Sequence, residues 1–264
     1  MAINCVCTHK IVTVYDRSFL FPLYEYSGGQ NLLSTTQATK RPNLSSEFAV
    51  LVAKRMGCNY LENDPNHSAH NLHPEDLFHY LYGILYSPAY RIRYASSLAI
   101  DFPRTPITTD FHLFRGIASL GADLMALHLL EDDYPAASWN ISKPKVKSPL
   151  QNLITKFAGK GDDEVAKGYP KYGTRKVFIN PSRWFEGVPE NVWNFHIGGY
   201  MVCEKWLKDR RGRVLSDEDT THYQRVVVAL NETIRLMAEI DKVIDAHGGW
   251  PAAFIASQPV SKRG

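Results

Sequence analysis

Nowhere in this 264-residue sequence is there a run of the roughly 18 consecutive apolar residues that a membrane-spanning helix needs. The opening residues, MAINCVCTHKIVTVYD, hold no cationic segment leading into an uninterrupted apolar core. They do not read as a secretory signal, and a cytoplasmic location is the expectation. Cysteine is scarce: Cys5, Cys7, Cys58 and Cys203. The first two are one residue apart, which is not zinc-ribbon spacing, and no second pair follows, so reduced thiols are expected rather than a disulfide frame or a metal site. Catalytic signatures are missing as well. No GxSxG elbow occurs, GKGDDE lacks the GxxxxGK[ST] spacing of a phosphate loop, and SGGQN is not GxGxxG. No internal repeat is present. These absences argue against nucleophile-elbow hydrolases, P-loop nucleotide enzymes and dinucleotide-binding folds.

What the sequence does contain is an ordinary globular composition, 44% hydrophobic and 22% charged, with its charge unevenly placed. The net charge is only +3, yet residues 143–213 carry fifteen basic and seven acidic side chains. Residues 44–142 carry six and eleven. A basic third of this kind suits a polyanionic partner, with a solvated basic face as the alternative.

Periodicity predicts an α+β fold: helix-rich, with short antiparallel strands and a long C-terminal helix. KIVTVYD and SFLFPLYEY read as a β-hairpin over 11–26, followed by a loop rich in Gly, Thr and Pro. A helical block is expected over 45–131. Ser45 or Ser46 caps LSSEFAVLVAKRMG, and Gly57 ends it. Pro74, Glu75 and Asp76 start the next helix, with Leu77, Tyr80, Leu81, Ile84 and Leu85 as its buried stripe. AYRIRYASSLAI and 109–131 supply two more helices. Residues 132–173 look irregular, a long functional loop or a weakly patterned insert. TRKVFIN and ENVWNFHI read as strands. SDED then offers a capping box for a helix over 216–246, about 45 Å long at 1.5 Å per residue, before a tail at 247–264.

Three groups of side chains invite a chemical reading. His67, His70 and His73 are regularly spaced beside Glu75 and Asp76, but they precede a helix start and share no helical face, so a polar loop is the expectation and a metal site is not. Asp162, Asp163 and Glu164 with Lys167 could suggest a nuclease; carboxylates crowded in a Gly- and Lys-rich loop are usually solvated. The basic third is better endowed. Arg175, Lys176 and Arg183 stand among Phe178, Trp184 and Phe185, and Lys205, Lys208, Arg210, Arg211 and Arg213 follow the Gly198-Gly199 pair. Arginine can grip phosphate or guanine in bidentate fashion, and aromatic rings can support it. A short helix around Trp206 is expected to bury the ring and expose Lys205 and Lys208.

Four ordered blocks resemble one family. They are FPLYEY, HPEDLFHYLYGILYSPAYRIRYASSLAIDFPRTPIT, INPSRWFEGVPENVWNFHIGGYMVCEKWLKDRRGR and SDEDTTHYQRVVVALNETIRLMAEIDKVI. Together they span roughly residues 19–246 and look like the C-terminal specificity domain of Type ISP restriction-modification enzymes and related adenine-specific DNA methyltransferases. The resemblance implies a target recognition domain over 1–246 that binds double-stranded DNA in a sequence-specific manner. Chemistry would be left to a methyltransferase domain or subunit. Neither the Gly-rich S-adenosylmethionine motif nor the Asn-Pro-Pro-aromatic motif occurs here; the nearest string is Asn180-Pro181-Ser182-Arg183. No cofactor is therefore expected in this chain, with S-adenosylmethionine on a partner or on a methyltransferase domain, and whether the chain acts as an enzyme stays open. The family's IGGY…EKWLK signature accompanies different target sequences, which implies phosphate contact by Lys205, Lys208, Arg210, Arg211 and Arg213, joined by Lys176. Base reading is then expected within 138–183, from Asn140, Lys143, Lys145, Lys171, Tyr172, Arg175 and Arg183. An interaction subunit that docks a methyltransferase through the long C-terminal helix is the alternative.

Overall fold

Helix α1 (Ser46–Arg55) begins where its capping signal stands, with the Ser45 hydroxyl accepting from the Phe48 amide and Gly57, at φ +72°, turning the chain out of the helix. The computed structural model of the chain describes residues 22–27, 39–63, 68, 70–130 and 148–255. Around α1 lie β1 (Tyr24–Ser27), β2 (Thr39–Pro42), β3 (Asn59–Tyr60) and β4 (Asn71–Leu72). Helices α2 (Pro74–Tyr86), α3 (Pro88–Arg93), α4 (Ala95–Leu98) and α5 (Phe111–His128) follow. Next come β5 (Lys156–Gly159), β6 (Lys171–Gly173), β7 (Lys176–Phe178), β8 (Arg183–Glu186) and α6 (Glu190–Trp193). The series closes with β9 (His196–Ile197), β10 (Tyr200–Met201), α7 (Val202–Lys208) and α8 (Asp217–Ala246). The mixed, helix-rich architecture and its long last helix are as the sequence predicts.

The chain divides into two compact units, with boundaries inside α5 and α8. One comprises Met1–Met125, Ala136–Pro144 and Met237–Gly264, the other Ala126–Pro135 and Lys145–Leu236. In the first unit α2 and α5 meet backbone to backbone. A Cβ on Gly121 would stand 1.9 Å from the His79 carbonyl oxygen, and one on Gly83 would stand 2.8 Å from that of Ile117. Any side chain at either position forces the helices apart. Tyr80 stacks on Phe114 with centroids 4.5 Å apart, and both are fully buried. Burying each such ring contributes about 1.5–3 kcal/mol. His73 closes α2 at its start. Its amide and its ring Nδ1 lie 2.8 and 3.0 Å from the buried Asp76 carboxylate, whose other oxygen is 2.8 Å from Arg115. Burial alone would raise the Asp76 carboxyl, but these hydrogen bonds and the Arg115 charge hold it below the usual carboxylate range. Of the three regularly spaced histidines, His73 thus caps a helix, His70 is exposed, and His67 lies outside the described residues.

The second unit packs the sheet β5-β8-β7-β6, all antiparallel, against α6, α7 and the first two-thirds of α8. Its core joins Val177, Phe185, Trp193, Leu207, Tyr223 and Val227. Helix α8 starts with the expected capping box: Ser216 Oγ accepts from the Asp219 amide at 3.1 Å, and Asp219 accepts from the Ser216 amide at 3.2 Å. None of its large apolar side chains is exposed.

Three local readings of the sequence need correction. Residues 11–21 of the expected hairpin lie outside the described residues. Its C-terminal end, β1, pairs with Thr39–Pro42, which the Gly-Thr-Pro composition assigns to a loop. ENVW is one helical turn rather than strand, because Pro189 and Glu190 suit a helix start. The segment read as irregular contains β5 and β6, strands of four and three residues that are too short to register as a pattern.

Candidate nucleic-acid interface

Strand alternation sorts the basic residues of the second unit. Across the register Lys156↔Glu186↔Lys176 and Ala158↔Trp184↔Phe178, with Phe178 paired to Lys171, these side chains share one face of the sheet. The opposite face carries Phe157, Tyr172, Val177 and Phe185 into the core. Lys156 and Lys171 are exposed. The Lys176 ammonium is 3.5 Å from Glu186 and 4.8 Å from the centre of the Trp184 ring. Trp184 is 5.8 Å from Phe178, and its buried indole N–H finds no hydrogen-bond partner among the described residues. The outward face is therefore three lysines and one glutamate around two half-buried rings.

Tyr172 and Lys171, adjacent candidates in the sequence, point to opposite sides. Tyr172 stacks on Trp193 at 5.3 Å and donates its hydroxyl to the Val188 carbonyl at 3.1 Å. Arg183 is held too: Nη1 donates to the Gly159 carbonyl at 2.8 Å, Nε to Asp163, and the guanidinium lies 4.0 Å over the Phe157 ring. Asp163 thus serves as the counter-ion of Arg183, and Asp162 accepts from the Glu164 amide at 3.1 Å. Asn180 is a structural turn residue. Its side chain donates to the carbonyls of Asp162 and Glu164, at 2.7 and 3.0 Å, and accepts from the amides of Ser182 and Arg183, at 2.9 and 2.8 Å.

Arg175 stands apart from these. Strands β6 and β7 are joined by Thr174 and Arg175 alone, at φ +51° and +58°. Positive φ at both central residues of a two-residue hairpin is the type I′ geometry that matches sheet twist and favours Asn-Gly. Holding two non-glycine residues there costs on the order of 1 kcal/mol each. The Arg175 carbonyl accepts from the amides of Gly187 and Val188, at 2.9 and 3.0 Å, which fixes the turn. Its side chain is exposed, with one contact to the Gly187 carbonyl at 3.3 Å. A rigid, strained tip that presents an arginine to solvent is well suited to recognition.

The glycine pair 198–199 makes the tight turn between β9 and β10, with Tyr200 paired to Ile197. In α7, Trp206 packs against the core cluster while Lys205 and Lys208 are exposed, as expected. Cys203 is buried, and burial pushes its thiol up to about 12, far from a reactive thiolate. Lys205 pairs with Asp209, and Lys208 with Glu204 at 2.8 Å. Arg210 lies 3.5 Å over the Trp206 ring and 3.3 Å from Asp219. Arg211 donates to the Tyr169 carbonyl at 2.6 Å, while the Lys171 ammonium lies 4.9 Å from the Tyr169 ring. Tyr169 therefore links the 209–213 turn to the edge strand of the sheet. Arg213 is exposed and makes no ion pair with a described residue. Asn140, Lys143 and Lys145 lie outside the described residues.

A family model described as the Type ISP C-terminal specificity domain matches residues 1–239. No curated protein matches. Among solved structures, the chain is similar to the ATP-dependent Type ISP restriction-modification enzyme LlaBIII bound to DNA. The TM-score is 0.53 at 18% identity, covering 82% of this chain and 13% of that one. A nuclease-deletion mutant of the Type ISP enzyme LlaGI in complex with a DNA substrate mimic gives 0.44 at 22% identity, covering 63% of this chain and 16% of that one. A DrdV–DNA complex gives 0.47 at 21%, covering 63% and 18%. The chain thus spans less than one fifth of each of those chains.

Proposed function

The chain belongs to the Type ISP C-terminal specificity domain family, and from that premise we propose that it recognises a short sequence in double-stranded DNA and does no chemistry itself. The family match over residues 1–239 carries this reading, and the geometry supports the following division of roles. Arg175 is the foremost base reader, with Lys171 beside it on the same hairpin. Lys205, Lys208, Arg211 and Arg213 hold phosphates, supported by Lys156 and Lys176 on the sheet. Tyr172, Arg183 and Arg210 act as braces, since each is already engaged within the unit. Asn140, Lys143 and Lys145 remain base-reading candidates on sequence grounds. Methyl transfer, with its S-adenosylmethionine, belongs to a methyltransferase domain or subunit. Docking of such a partner through α8 gains no support, because that helix exposes no large apolar side chain.

Selection from a randomised duplex pool tests the reading. The expected result is enrichment of one short sequence with strongly salt-dependent binding. Equal retention of every duplex would remove the specificity claim.

A further inference from the structure

The β9–β10 hairpin carries more apolar surface than folding requires. Cross-strand pairing puts Ile197 and Tyr200 on one face and His196 and Met201 on the other. Met201 packs against the core cluster, whereas Ile197 and Tyr200 are 48% and 62% exposed. The glycines at the tip point the same way. Gly198, at φ +60°, answers the needs of the turn. Gly199 does not have a left-handed φ, and a Cβ there would meet no atom within 4 Å. Neither the backbone nor the packing of the described residues calls for glycine at 199. A bare backbone at an open tip suits close approach by another molecule.

Charge favours nucleic acid as that molecule over an apolar protein surface. Residues 193–203 contain no acidic side chain, the Lys205 ammonium is 5.9 Å from the Tyr200 ring, and the hairpin leads directly into the basic 205–213 segment. We propose that this hairpin enters a groove of the duplex and wedges Ile197 and Tyr200 against one base step, partly unstacking it. Apolar side chains at such steps open the stack and bend the helix, and the added contacts offset the unstacking. The wedge recognises deformability rather than base edges, so it favours a flexible pyrimidine–purine step within the target.

The inference rests on the DNA-recognition reading above, and one experiment separates the two. Duplexes enriched from the randomised pool are remade with 2-aminopurine at each adenine in turn and titrated with the 264-residue chain. A several-fold rise in fluorescence at one step is expected on binding. In the Ile197→Ser, Tyr200→Ser double variant the rise should vanish and affinity should fall on the order of tenfold, the scale for loss of one stacked aromatic. Gly199→Val should weaken binding with an unchanged melting temperature, and it decides the matter if the double variant fails to fold. Silent 2-aminopurine at every position, or native affinity in Gly199→Val, overturns the wedge while leaving DNA recognition intact. Failure of the native chain to retain any duplex overturns both.

Discussion

Lys205, Lys208 and Arg210 each pair with a carboxylate from their own neighbourhood, whereas Lys156, Lys171 and Arg175 form no ion pair with a described residue. Formal charge rates the two stretches as equals, but they differ in what a ligand must displace. The pairs of Lys205 and Lys208 are exposed i,i+4 contacts worth about 0.3–0.5 kcal/mol, so a phosphate can replace either carboxylate at small cost. Arg210 is different: stacking on Trp206 and pairing with Asp219 hold it from both sides. On the sheet, the cations are presented by a backbone already fixed by its register, and Arg175 is presented by a locked turn. The comparison teaches that a basic residue's availability depends on its counter-ion and on its mount, and that the stiffest mount belongs to the residue proposed to read a base.

The largest expected effect breaks this contrast at its extreme. Arg175→Gly suits the left-handed backbone and should raise stability slightly, while abolishing preference at one base pair of the selected target by about 1–3 kcal/mol. Competition between the target and its single-position variants measures that loss; an unchanged profile would show that Arg175 reads nothing. Next, Arg210→Ala should lower the melting temperature, at a cost of about 1–2 kcal/mol for the stacked, partly buried cation, without altering the salt slope of DNA binding. Replacing Lys205 and Lys208 together by Gln should do the reverse: weaken all duplexes alike, reduce the salt slope by about two, and leave thermal stability within about 0.5 kcal/mol.

The smallest effect is a pH dependence. Burial alone would push the Asp219 carboxyl up, but the Ser216 amide, Arg210 and the Ser216 hydroxyl outweigh it and hold the group below the usual carboxylate range. A lowered folded-state value means that the unfolded chain binds the proton first as pH falls. The stabilisation is complete above the unfolded value of about 4 and is lost as pH drops through the folded one. Melting curves between pH 5 and 2 should therefore fall more steeply for the native chain than for Arg210→Ala, and parallel curves would mean that Arg210 and Asp219 are not coupled.

Much of this was legible in the residues. Helix starts were marked by Ser45, Pro74 and the Ser216–Asp219 box, and each lies where its signal stands. The tight turn at Gly198-Gly199 was equally plain. Of the four-stranded sheet only β7 was, within TRKVFIN; the other strands, three or four residues long and carrying glycine or aromatics, give alternation nothing to repeat. One signal was present and unused: in KYGTRKVF, alternation alone sets Lys171 and Lys176 against Tyr172 and Val177. The bracing of Arg183 by Asp163, twenty residues away, is non-local and no pattern announces it.

Under the role proposed for Arg175, the Thr174-Arg175 turn also limits how such a chain could change its target. With its carbonyl fixed by two main-chain amides and its side chain exposed, position 175 can be exchanged without rebuilding the sheet. Left-handed backbone nevertheless accepts few side chains easily, and Asn and Asp lead among those with polar groups. Asn suits adenine and Asp suits cytosine, where Arg suits guanine. For a drifting lineage or a protein engineer, the turn shortens the list of workable swaps, and the short list still contains readers for three of the four bases.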